Sequence, residues 1–189
     1  MNHISIEGMD GVGKTTTCRL LAEKLGYKFI EKPLHYLFDD SENDITRYQR
    51  IAKDVNANPN RDFTSMFYGL GSIYMYGEFK DENIITDRHL ASNYAWSGTE
   101  GNTDVYDLLV KKLGAPKLTV ILYSPSEVII KRLRARDRED KDIERVKHSE
   151  NIYKRMVEFC TTYKFPYVLI DTSKLTAEEV IKQIVELVK

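Results

Sequence analysis

Gly8, Gly13, Lys14 and Thr15 follow the order G-x-x-x-x-G-K-[ST] inside ISIEGMDGVGKTTT, residues 4–17. This spacing suits one task, the wrapping of a chain of phosphates. Glycines at 8, 11 and 13 accept positive φ, so the backbone can curl until successive N–H groups face one concavity, with no Cβ in the path of a phosphate. A helix beginning at the end of the loop adds the partial positive charge of its N-terminus. Lys14 can then reach the β- and γ-phosphates, and the Thr15 hydroxyl is placed to ligate a magnesium ion.

Two further groups carry charge in useful patterns. Asp87-Arg88 follows the apolar run Asn83 to Thr86, so it is expected at a strand end, where the aspartate can hold magnesium through a water or accept a proton and the arginine can fork onto a phosphate. Arg132, Arg134, Arg136 and Arg138 alternate with other residues in RLRARDREDKD, interleaved with Asp137, Glu139, Asp140 and Lys141. A solvated helix face is one explanation of such a run. The other is a mobile lid, about residues 134–143, whose arginines stabilise transferring phosphoryl charge while closure keeps water out.

The elements that must position these groups alternate between strand and helix. Ile4 and Ile6 precede the glycine loop; Cys18, Leu21, Ala22 and Leu25 recur at helical spacing after it, with Gly26 as C-cap. Tyr27 to Ile30, Asn83 to Thr86, Leu118 to Tyr123 and Tyr167 to Ile170 read as further short strands, the third apolar throughout and so covered on both faces. Residues 41–58, 102–112 and 143–163 are expected to be helical, and the apolar aromatic stretch 63–79 reads mostly as core. Ser124-Pro125-Ser126-Glu127 and Thr176 with Glu179 match capping boxes, the first with proline at the opening helical position. Five short strands separated by helices imply a parallel sheet with helices on both faces, and ligands in such sheets sit at the carboxyl ends of the strands.

A chain of 189 residues with 42% hydrophobic content suits a single domain over residues 1–189. A net charge of −1 gives no electrostatic case for a nucleic acid polymer or an anionic membrane as partner, so small molecules are the expected ligands. Two cysteines, Cys18 and Cys160, form neither a metal spacing nor a disulfide framework. With no leader pattern and no apolar run of about 18 residues, a cytoplasmic enzyme is expected.

EGMDGVGKTT, DRHLASNYAWSG, the arginine-rich window after LYSPSEV, and IDTS before a helix resemble, in that order, the landmarks of thymidylate kinases, over nearly the whole chain. The resemblance implies an α/β, three-layer P-loop NTPase fold with an arginine-rich lid, and transfer of the γ-phosphoryl of ATP to dTMP with magnesium present. The Asp10-Gly11 form of the loop resembles the bacterial-type members, in which the catalytic arginine comes from the lid: Arg134, Arg136 or Arg138. Residues Gly8, Met9, Asp10, Gly11, Val12, Gly13, Lys14, Thr15 and Thr16 would then bind ATP. Lys14, Asp87 and Arg88 would act in transfer, with Thr15 and Asp87 organising the metal. Asp10, Lys32, Phe67, Arg88, Ser92 and Trp96 would face the acceptor, Phe67 stacking on its base. Family resemblance also suggests a homodimer.

The chain departs from the family pattern in three places. Arg-Glu-Pro-Gly is replaced by Glu31-Lys32-Pro33-Leu34, the arginine of Leu-Phe-x-x-x-Arg by Gly71, and a Tyr-Gln pair by Trp96-Ser97. Either Lys32, Arg61 or Trp96 compensates, or the acceptor is another nucleoside monophosphate or a deoxynucleoside. A guanine-nucleotide switch normally carries Asn-Lys-x-Asp, and that string is missing. A scaffold that only binds nucleotide is disfavoured by the intact Gly13, Lys14, Thr15, Asp87 and Arg88.

Overall fold

β1 (His3–Gly8) is buried along its whole length, because a neighbouring strand flanks it on each side and helices cover the sheet. The computed structural model describes residues 1–41 and 44–189. Around β1 lie β2 (Lys28–Glu31), β3 (Ile84–Asp87), β4 (Leu118–Tyr123) and β5 (Tyr167–Asp171), in the order β2-β3-β1-β4-β5 and all parallel. This is the expected α/β sheet. β2 is shifted one residue from its expected span, and β3 and β5 each take in the aspartate that follows their apolar run. In register, Glu31 pairs with Asp87 and Ile6 with Asp87, so the carboxyl ends of β2, β3 and β1 come together.

α1 (Lys14–Leu25) starts directly after the loop and ends at Gly26, whose φ of 66 makes it the expected left-handed cap. It packs with α9 (Ala177–Val188), whose Thr176 and Glu179 form the expected reciprocal capping box. α5 (Leu90–Ser97) packs with α8 (Ser149–Thr162) and with α4 (Arg61–Glu78), which in turn packs with α6 (Thr103–Leu113). Two short helices complete the β2-to-β3 crossover, α2 (His35–Phe38) and α3 (Thr46–Ala57). The expectation of helix over 41–58 holds only from Thr46; residues 42 and 43 lie outside the described residues.

Three further expectations need correction. α7 (Ser126–Arg136) has Pro125 at its N-cap and no side-chain cap, because the helix begins one residue later than the motif implies and leaves Ser124 outside the cap position, its hydroxyl 2.8 Å from Thr172 Oγ1. The stretch 143–163 is not one helix: a 3-10 helix covers Lys141–His148 before α8 begins. In α4 the large apolar side chains Phe63, Met66, Leu70 and Ile73 are about half exposed, whereas Thr64, Ser65, Gly69, Gly71 and Ser72 are buried. Small residues face inward because the neighbours come close; a Cβ on Gly69 would lie 2.7 Å from the Leu109 side chain. Apolarity alone therefore misassigned that face.

Candidate active site

The loop between β1 and α1 turns on three glycines with positive φ, Gly8 at 136, Gly11 at 83 and Gly13 at 96. Gly8 is required twice over, since a Cβ there would also lie 2.3 Å from the Leu122 carbonyl oxygen. The loop, with Glu31, Lys32, Asp87, Arg88, Arg132 and Arg136, encloses a cavity of about 440 Å³ at the carboxyl end of the sheet. Such a cavity takes a phosphate-bearing ligand of ordinary size.

Within it, Lys14 is almost fully buried and its Nζ donates to the Met9 carbonyl at 2.9 Å and to Asp10 at 3.5 Å. Burial, and then Arg88, push the Lys14 amine below its ordinary value, against the pull of Asp10 and Asp87. Arg88 Nη2 donates to Asp10 Oδ1 at 2.7 Å, while Nη1 donates to the Gly8 carbonyl at 2.9 Å. Burial opposes the Asp10 charge, yet Arg88, Lys14 and Arg145 together hold its carboxyl well below the usual range. One carboxylate thus joins the phosphate loop to the arginine after β3.

Thr15 Oγ1 donates to Asp87 Oδ2 at 2.7 Å. A hydroxyl and a carboxylate side by side are hard oxygen donors of the kind magnesium takes together with substrate phosphates and water. No cluster of three or more His, Cys, Asp or Glu side chains suited to a metal occurs among the described residues, as is usual where phosphates complete the coordination.

Beneath the cavity, Glu7 is fully buried, and its Oε2 accepts from both the Ser92 N–H and the Ser92 hydroxyl. Burial raises its carboxyl pKa, with Ser92 and Arg88 acting against that rise. Arg88 Nη1 also reaches Ser92 Oγ at 3.4 Å. Ser92, expected at the acceptor, is buried beside Arg88. Sequence reasoning passed over Glu7; the one signal was a charged residue inside a buried strand, which requires partners.

Besides Asp10 and Arg88, only Lys32 of the expected acceptor residues lines the cavity, and Phe67, Ser92 and Trp96 do not. Lys32 lines the cavity, pairs with Glu31, and is pushed down by burial and by Arg88 and Arg19. Phe67 is partly buried and stacks on Phe38 with ring centroids 6.3 Å apart. Trp96 is partly buried and carries the Arg145 guanidinium 5.7 Å from its ring centroid. Ser97 is buried and Arg61 exposed.

Of the four arginines in the charged window, Arg132 and Arg136 line the cavity, while Arg134 and Arg138 are exposed and are not among its lining residues. Arg132 donates to Thr172 Oγ1 at 3.0 Å and to its carbonyl at 2.6 Å, which fixes the middle of α7 to the residue after β5. Arg136 pairs with Asp140 and Asp142. A second cavity of about 170 Å³ adjoins the loop, walled by Thr16, Arg132, Thr172 and Leu175.

Residues 6–184 match the family model described as thymidylate kinase. Over 98% of its length the chain is 25% identical to a protein named putative adenylate kinase from Pyrococcus abyssi, 83% of which is covered. It is 23% identical to a probable thymidylate kinase from Methanocaldococcus jannaschii, with 98% of this chain and 95% of that one aligned. Among solved structures, a deoxyadenosine kinase from M. mycoides superposes with a TM-score of 0.67 at 21% identity, over 98% of this chain and 97% of the other. At that identity the likeness speaks for the fold.

Proposed function

The chain belongs to the thymidylate kinase family, whose members transfer phosphoryl groups between nucleotides, and from that premise we propose that it passes the γ-phosphoryl of ATP to a deoxynucleoside monophosphate, with dTMP as acceptor. The observation that carries this reading is Asp10, on which Lys14 from the donor loop and Arg88 from the acceptor side converge. Two sets of phosphate-binding groups that share one carboxylate suit a donor and an acceptor whose phosphates meet end to end.

In this reading the backbone amides of residues 8–16 cradle the ATP phosphates, and the smaller cavity beside Thr16 and Arg132 receives its base. Lys14 follows the moving phosphoryl group, Arg88 grips the acceptor phosphate, and Lys32 supports it from the end of β2. Phe67 offers a face to the acceptor base. Arg136 covers the transferring group, with Arg134 and Arg138 reaching it when the lid closes. Thr15 and Asp87 would hold magnesium, whose charge offsets that of the phosphate oxygens. What the protein supplies is alignment and fixed charge in a site that excludes water.

Two buried free thiols, Cys18 and Cys160, fit a reducing, cytoplasmic setting, and no described helix is long and apolar enough to cross a membrane. The exposed apolar face of α4, Phe63, Met66, Leu70 and Ile73, supports a homodimer of single-domain protomers. Light scattering on Leu70→Glu would report a monomer where the native chain gives a dimer.

A coupled ADP-release assay with ATP and each common nucleoside monophosphate and deoxynucleoside tests the reaction. Turnover is expected with dTMP above all others. Preference for an unphosphorylated nucleoside, or no ADP release with any acceptor, would overturn it.

A further inference from the structure

Arg145 stands outside every motif discussed above, on the 3-10 helix that follows the charged window, yet its Nη1 lies 3.9 Å from Asp10 Oδ2. Asp10 is therefore approached through one carboxylate oxygen by Arg88 and through the other by Arg145. The Arg145 guanidinium rests over the Trp96 ring, and its Nη1 donates to Asp142 at 3.3 Å. Its Nη2 and Nε make no hydrogen bond to the described residues, so part of a rigid five-donor fork faces outward beside Asp10.

On the reading given above, we propose that Arg145 is a second acceptor-phosphate arginine, opposing Arg88, and that Trp96 is the positioning residue that holds it. Two of the departures from the family pattern then belong together. The guanidinium missing after β2, where Lys32 offers only an amine, is supplied by Arg145 beside Asp10, and the indole that replaces a tyrosine provides the larger and more electron-rich face that a guanidinium prefers. Arg145 is half exposed while its partner carboxylate is largely enclosed, so the arginine can turn from Asp142 toward an incoming phosphate while its guanidinium stays over the Trp96 ring. A latch that merely fastens the lid to Asp10 would use the same contacts, but it would affect donor and acceptor alike.

Titration calorimetry with dTMP and with thymidine separates the two. Arg145→Gln is expected to weaken dTMP binding by about 10- to 100-fold, the ordinary worth of a charge-assisted hydrogen bond to phosphate, and to leave thymidine and ATP binding unchanged. Arg145→Lys should recover part of the loss. Trp96→Leu should weaken dTMP by about 2- to 5-fold in the native background and have no further effect in the Arg145→Gln background, because the ring would then have nothing to hold. Equal weakening of dTMP and thymidine, no change in either, or a Trp96 effect that adds independently to that of Arg145 would overturn the assignment. A native protein that turns over other acceptors but binds no deoxynucleoside monophosphate would overturn the reading beneath it, and the role of Arg145 with it. Normal dTMP turnover with unaltered dTMP affinity in Arg145→Gln would remove the role of Arg145 alone.

Discussion

Lys32 and Arg88 leave adjacent parallel strands at equivalent points, each one residue beyond the paired Glu31 and Asp87, and both have left-handed backbone, with φ of 53 and 76. For residues with a Cβ that conformation costs about 1–2 kcal/mol each. Two such residues side by side at the mouth of one cavity mark strain held in place by the sheet and used to aim two cations at one space.

Lys32→Gly follows from that relationship. Glycine relieves the backbone strain but removes the amine. The variant is expected to melt at or up to about 3 °C above the native protein, while the KM for the acceptor rises by about 10-fold or more. A lower melting temperature with an unchanged KM would mean that the side chain serves packing.

Lys14→Ala tests the donor side. Asp10 keeps Arg88 as partner, so the fold should survive with a melting temperature within a few degrees of the native value. Turnover should fall by at least about 100- to 1000-fold. Near-native kcat would remove the phosphate loop from the reaction.

Gly8→Ala and Gly13→Ala separate collision from conformational strain. Both positions have positive φ, but only at Gly8 would a Cβ strike backbone, whereas nothing lies within 4 Å of one at Gly13. In chemical denaturation Gly13→Ala should lose about 1–2 kcal/mol and Gly8→Ala more than about 3 kcal/mol, or fail to fold. Equal losses would mean that the contact with Leu122 is readily relaxed.

His3 and His89 make stability depend on acid. Their rings lie 4.8 Å apart and both are buried; burial lowers His89 to about 3, and burial together with His89 lowers His3 well below its ordinary value. Between the ordinary histidine value, about 6.5, and those lowered values the unfolded chain binds protons that the folded chain does not. Stability is thus complete above that ordinary value and falls as pH drops below it, by about 1.4 kcal/mol per pH unit for each ring. Denaturation midpoints measured from pH 7 to pH 4 should show this slope, and His89→Phe should flatten it. An unaltered slope in that variant would place the acid sensitivity elsewhere.

Much of the site was legible because its logic is local. The phosphate loop depends on glycine φ values and on a lysine at fixed spacing, and Asp87-Arg88 on a strand ending where it does. Gly26 and the Thr176–Glu179 pair cap their helices through contacts three or four residues long, and both behaved as read. Ser124 shows the limit. Its motif is also local, but the helix starts one residue late, with Pro125 at the cap, and the Ser124 hydroxyl meets Thr172, 48 residues away. The α4 stripe failed for a related reason, since the closeness of α5 and α6 decided that small residues face inward.

By itself the sequence determined the parallel sheet, the phosphate loop and the strand end that faces it, since each follows from backbone preferences and hydrophobic period over a few residues. Tertiary structure alone decided that Glu7 and Ser92 sit beneath Arg88, that Arg132 is fastened to Thr172 while Arg136 lines the cavity, and that Trp96 carries Arg145 across 49 positions. A long side chain finds its partner by the packing of whole elements, and no spacing along the chain encodes where two such elements will meet.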